Sequence, residues 1–319
     1  MELNHLCNLF LLPAFLEGII FIIKFNGAFL RPPIPRPITY GDSKAMKVKY
    51  IDDGTVAVNV DLRSCLVADP TSRPRPLCFQ ERSGHALPPG NNLLQFYVND
   101  MEDFANENKL IVNKKKTNVI KFTNSRKLDF PPEITFKDGT QLETMSETRL
   151  LGVIVSQDLK WSKNTDFICS KARRKLWILR RMQLLELTRA ELFDVYRKEV
   201  RSILEFAVPV WHSSLTRKQR SEIEAVQKLA FKIILGTSYR QYSDACALLD
   251  TQTLEQRRTE ICLRFAKKNL ESENCLFETP NILPSLRKRS RTVQEYRCNK
   301  VRFRRSSLPY LASLLNANG

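Results

Sequence analysis

The chain has 319 residues, 43% of them hydrophobic, with 51 Lys or Arg against 34 Asp or Glu and a net charge of +17. That length allows about two ordinary domains, and that apolar content excludes a chain disordered throughout. The basic surplus points to a polyanionic partner, nucleic acid before an anionic membrane face. Eight cysteines without a Cys-x-x-Cys pair, and three scattered histidines, exclude a zinc finger or knuckle. Their spacing leads us to expect reduced, mostly buried thiols in an intracellular protein of nucleus or cytoplasm, not a secreted one.

Residues 9–30, "LFLLPAFLEGIIFIIKFNGAFL", are strongly apolar. The preceding "MELNHLCN" has no Lys or Arg, which argues against a secretory signal. Glu17 and Lys24 would each penalise a membrane span. Membrane association is therefore the least favoured reading; the others are a buried segment and a leader foreign to the rest. "RPPIPRP" at 31–37 then makes an extended break.

In "KVKYIDDGTVAVNV" (47–60) the residues Val48, Tyr50, Val56, Val58 and Val60 alternate with polar or small ones, the period of a half-buried strand. Asp53-Gly54 between the two runs is a strong hairpin signal. Asp52 and Asp53 are thus expected at a hairpin tip, and aspartate is also simply a good turn residue. The proline-rich stretch 68–92 reads as a long loop of the kind that is often functional. Leu93, Leu94, Val98, Met101, Phe104 and Ala105 recur at helical spacing, predicting a helix ending near Asn108. "KLIVNKKKTNVIKFT" (109–123) predicts a strand, a basic turn and a strand ending at Phe122. A second Asp-Gly turn follows at 138–139, and then a hairpin-like unit over 148–161.

From Trp161 the pattern is helical. Ile168, Ala172, Leu176 and Leu179 form one apolar stripe, flanked by Lys171, Arg173, Arg174, Lys175, Arg180 and Arg181. Three Thr-x-x-Glu/Gln capping boxes open successive helices: Thr188 with Glu191, Thr216 with Gln219, and Thr253 with Gln256. Gly236 stands where a helix should stop. Trp161, Trp177 and Trp211 read as core anchors rather than stacking platforms. Between 285 and 306 lie Arg287, Lys288, Arg289, Arg291, Arg297, Lys300, Arg302, Arg304 and Arg305 against one acid, Glu295. This tail, Arg287 to Arg305, is expected to be the chief nucleic-acid contact, with Tyr296 and Phe303 available to stack on bases and the basic flanks of the 168–182 helix as the competing site; the alternative is a merely solvated tail. "SLPYLASLLNANG" predicts a closing helix that docks back.

Taken in order, these segments resemble a known family. Tyr50-Ile51-Asp52-Asp53 resembles the Tyr-x-Asp-Asp box of reverse transcriptases, and "NKKKTNVIKF" (113–122) is similar to the palm segment with an Asn-x-x-Lys-Thr/Ser core. "RLLGVIVSQDLKW" (149–161) resembles the Leu-Gly-Val primer-grip hairpin. Residues 200–236 and 249–268 resemble the helical region after the palm in non-LTR retrotransposons of the jockey-like type, and "SSLPYLASLLN" is similar to the close of such reading frames. The resemblance covers about 46–316.

It implies an α+β fold: an apolar leader (1–40) unlike the family, a partial polymerase palm (41–160), a helical thumb-like region (161–270) and a basic tail (271–319). It also implies descent from an RNA-directed DNA polymerase acting on an RNA template, a DNA primer and deoxynucleotides. Two Mg²⁺ ions would clamp the attacking and leaving oxygens. Asp52 and Asp53 are the implied catalytic, metal-holding pair; neighbours on a strand point to opposite sides, so Asp52 is the better ligand. Lys116 is the implied general acid, or a plain turn lysine. Tyr50, Gly152, Arg173, Arg174, Lys175, Arg180 and Arg181 are the implied primer–template contacts, with Gly152 allowing close backbone approach or serving as an ordinary strand glycine. The acids before Tyr50 are Glu2, Glu17 and Asp42, none in a motif of the family. The second metal-binding strand, the fingers and the nucleotide-selecting helix are therefore expected to be missing. The outcome would be a truncated or degenerate polymerase, or a catalytically silent nucleic-acid-binding protein derived from one.

Overall fold

In the computed structural model the apolar segment Gly18–Asn26, "GIIFIIKFN", is a strand, β1, hydrogen-bonded to neighbours on both sides. Its four β-branched isoleucines favour that state. The structure describes residues 18–26, 46–51, 55–60, 93–107, 111–122, 133–271, 277, 293–298 and 301–318. No helix among them is long and apolar enough to cross a membrane.

Strands β2 (Met46–Ile51) and β3 (Thr55–Val60) form the expected antiparallel hairpin, with Val48 opposite Val58 and Tyr50 opposite Val56. β3 also pairs with β1. Helix α1 (Leu93–Glu107) ends one residue short of the expected stop, and β4 (Ile111–Val112) and β5 (Asn118–Phe122) flank the basic turn. With β6 (Glu143–Met145) the sheet order is β2-β3-β1-β5-β6, with β4 also on β1. Every pairing is antiparallel except β5 with β6. The Asp138-Gly139 turn is present, with Gly139 at φ 82°. The Gln95 side chain binds the backbone there like a neighbouring strand: Nε2 donates to Thr135 O at 2.5 Å and Oε1 accepts from Thr135 N at 2.9 Å.

A second, two-stranded sheet is the hairpin β7 (Glu147–Leu150) and β8 (Val153–Ser156). The helices follow: α2 (Ser162–Leu184), α3 (Arg189–Val195, continued as a π segment Tyr196–Arg201 and Ser202–Leu204), α4 (Val208–Trp211), α5 (Arg217–Leu235), α6 (Tyr242–Leu248), α7 (Leu254–Leu270), α8 (Val301–Arg304) and α9 (Ser307–Asn318). All three capping boxes form with both reciprocal hydrogen bonds. The π segment has a readable cause. Leu192, Tyr196, Val200 and Leu204 are all buried at a strict four-residue spacing. In a pure α-helix that spacing drifts by ~40° per step, and a wider π turn takes the drift back out.

The described chain divides into two compact units, one holding 18–148 and 156–159, the other 149–155 and everything from 160 onward. The tip of the β7–β8 hairpin thus belongs with the helices. Asn164 ties it down, its Oδ1 accepting from Ile154 N at 3.1 Å. The helical core carries Trp211, Tyr196 and Phe231, the last two edge-to-face with ring centres 5.5 Å apart. α9 docks through Ser307, whose hydroxyl donates to Val210 O at 2.6 Å. Mixed helix and strand with two sheets is compatible with the α+β expectation.

Candidate nucleic-acid interface

Asp52 and Asp53, between β2 and β3 in sequence, lie with Asp42 outside the described residues. The sheet around them is described. The last pair of the hairpin is Ile51 opposite Thr55, and on the other side of Thr55 stands Lys24 of β1. β1 contains no carboxylate, and its one ionisable residue is this lysine at the register nearest the tip. A two-ion site needs a second carboxylate beside the first. β1, the strand paired with β3, offers no such residue in its sequence. Among the described residues no group of three or more His, Cys, Asp or Glu could hold a metal ion.

Lys116 ends a 3₁₀ turn, Lys114–Lys116, between β4 and β5. The anchored member of that turn is Lys114. Its Nζ sits 2.5 Å from Asp138 Oδ2 and 3.5 Å from Glu102 Oε1, over the ring of Phe136. The hydrogen bond to Asp138 raises the Lys114 pKa, and the same bond holds Asp138 down at about 2. The turn is thus stapled to the Asp138-Gly139 hairpin. Tyr50 is placed by its strand register alone.

Gly152 has a local job. It and Leu151 form the two-residue loop between β7 and β8, with φ 85° and 46°. Positive φ at both central positions is the hairpin turn whose twist matches its strands. A Cβ on Gly152 would lie 3.1 Å from Phe206 Cε1, so the close approach is to the protein's own side chain.

α2 carries an exposed basic face. Asn164, Thr165, Ile168, Cys169, Ala172, Leu176 and Leu179 are buried, as the stripe predicts. Lys171, Arg173, Arg174, Arg180 and Arg181 are exposed, and no described residue forms an ion pair with any of them. Lys175 differs: its Nζ is 2.9 Å from Glu199 Oε2. Trp161 and Trp211 are core residues, as expected, at 5% and 0% exposure. Trp177 is not. It is 59% exposed, which corrects the expectation of a core anchor. The reason is its phase: five residues past buried Ala172 at ~100° per residue puts it ~140° round the helix, on the arginine face.

In the tail, Arg287, Lys288, Arg289, Arg291 and Lys300 lie outside the described residues. Arg297, Arg304 and Arg305 are exposed and Arg302 is half-buried. Tyr296 and Phe303 meet each other edge-to-face, ring centres 6.3 Å apart, rather than standing free. The tail is anchored at both ends: Asn316 brackets the backbone of Val293, and Ser214 donates to Arg305 O at 2.9 Å.

A buried polar network had no signal in the sequence beyond its capping threonine. Glu224 of α5 accepts from the backbone N–H of Leu254 and Glu255 at the start of α7, and from Tyr242 OH at 2.5 Å. A carboxylate is favoured at a helix N-terminus. Arg258, fully buried on α7, lies 3.7 Å from Glu224 and contacts His212, while its two terminal nitrogens have no hydrogen-bond partner. None of the four described cysteines is in a disulfide, three of them are buried, and burial pushes the Cys169 thiol up to about 11. This network links α5, α6, α7 and the turn before α5. No family model, no curated protein and no solved structure matches the chain significantly.

Proposed function

We propose that this chain derives from the reverse transcriptase of a non-LTR retrotransposon and acts as a nucleic-acid-binding protein whose polymerase site, in the residues present, is incomplete. The descent rests on the ordered Tyr-Ile-Asp-Asp, Asn-x-x-Lys-Thr and Leu-Gly-Val segments in this sequence. The hairpin register around the Asp pair and the positive-φ loop at Gly152 are compatible with that reading. The observation that carries the binding function is the exposed row Lys171, Arg173, Arg174, Arg180 and Arg181 on one helix, with no ion pair to any described residue. Such a row neutralises phosphates at fixed spacing and releases their counterions. The basic tail adds to it.

The acids before Tyr50 are Glu2, Glu17 and Asp42, none in a motif of the family, and that is the reason to separate binding from catalysis. A two-ion site needs a second carboxylate beside the first. The test is a pair of assays on the full chain. Binding to a labelled oligonucleotide is expected, weakening steeply with salt, with RNA and DNA held alike. Extension of a primed RNA template in Mg²⁺ or Mn²⁺ is expected to match a buffer blank. Template-dependent incorporation lost in Asp52→Ala would overturn the silent reading; absence of any binding would overturn the whole of it.

A further inference from the structure

Trp177 stands at the centre of an arginine frame. Arg173 and Arg174 lie four and three residues before it, Arg180 and Arg181 three and four after, and those offsets are neighbours on a helix surface. At 59% exposure its indole is the largest apolar group on that face. The one acid of α2, Asp166, is eleven residues away, ~16 Å along the axis. Exposed tryptophan is costly to leave in water, and four guanidinium groups around it, with no ion pair to any described residue, repel a basic protein or a second copy of this chain. The charge complement of this surface is a polyanion with flat apolar faces.

Resting on the nucleic-acid-binding reading, we propose that Trp177 is a stacking platform for an unpaired base of single-stranded RNA or DNA, with Arg173, Arg174, Arg180 and Arg181 holding the flanking phosphates. Base–aromatic stacking tolerates any sequence, because every base has a π-face. Paired bases keep their faces occupied. The site therefore selects single strands over duplexes, whereas the arginines alone would not discriminate.

Tryptophan emission reads this directly, since the other two tryptophans are buried. The full chain is titrated with an oligothymidylate single strand and with a duplex of equal length. The single strand should quench Trp177 emission and bind the more tightly. Trp177→Ala should weaken single-strand binding roughly 5- to 150-fold, leave the duplex and the salt slope unchanged, and keep the melting temperature, while Trp177→Phe restores most of the loss. Replacing the four arginines by Gln should instead flatten the salt slope for both strands.

Undiminished single-strand binding in Trp177→Ala, with the arginine variant still weakened, would overturn the platform and leave the binding function standing. So would equal losses on duplex and single strand. Emission that responds to anionic vesicles but not to the oligonucleotide would assign the face to a membrane and overturn the proposal. No binding of the intact chain to either nucleic acid would overturn the parent reading and this one together.

Discussion

Arg258 Nε donates to His212 Nδ1 at 3.3 Å, inside the helical unit. That bond assigns the tautomer: Nδ1 is the acceptor, so Nε2 carries the proton and faces Thr259 Oγ1 at 3.4 Å. The threonine accepts it and donates onward to Glu255 O. His212 has no room for a second proton. Burial, then Arg258 and Arg220, hold its pKa down at about 3.

Acid should therefore unfold this unit early. The folded pKa lies below the ordinary 6.5, so the unfolded chain binds the extra proton first. The stability that His212 contributes is complete above pH 6.5 and is lost as pH falls from there toward about 3. Denaturant melts at pH 7.5, 5.5 and 4 should show the decline, and His212→Gln should remove most of its slope. A wild-type slope in the variant would assign the acid response to other groups.

Gly152→Ala should destabilise by about 1–2 kcal/mol from its left-handed backbone alone. The contact with Phe206 adds to that until the exposed ring shifts. Gly139→Ala is the internal control, with φ 82° and nothing within 4 Å. Thermal melts should show the larger drop at Gly152, and equal drops would mean that the Phe206 contact costs nothing.

The helical unit should fold alone, but its start is the hairpin rather than Trp161. A fragment beginning at 149 keeps the Ile154–Asn164 bond and the buried Val153 and Val155. One beginning at 161 exposes Trp161 and leaves buried Asn164 without its donor. Circular dichroism melts should be cooperative for the first fragment and lower by several degrees for the second. Identical melts would remove the hairpin from the unit.

What was legible in the sequence was what is local. Thr188, Thr216 and Thr253 announce their helices because a capping box closes within four residues, and the Val48–Val60 alternation announces its hairpin for the same reason. Counting phase along α2 places Trp177 outside the stripe; reading tryptophan as core by residue type alone misplaces it. β1 was illegible as a partner of β3 because pairing Ile19 with Val60 spans the chain between them. His212, Glu224 and Arg258 converge from α5, α7 and the turn before α5, and no short-range pattern links them.

The central claim is that the α2 face is the main nucleic-acid contact. The direct measurement is the log–log salt dependence of binding to one labelled single strand, for the full chain and two variants. One replaces Arg173, Arg174, Arg180 and Arg181 by Gln; the other replaces Arg297, Arg304 and Arg305. At about 0.7 per phosphate contact, the helix variant should lose about 3 units of slope, and the tail variant less than the roughly 2 units that three engaged arginines would give. An unchanged slope in the helix variant, with the tail variant flattened, would contradict the account and move the contact to the tail.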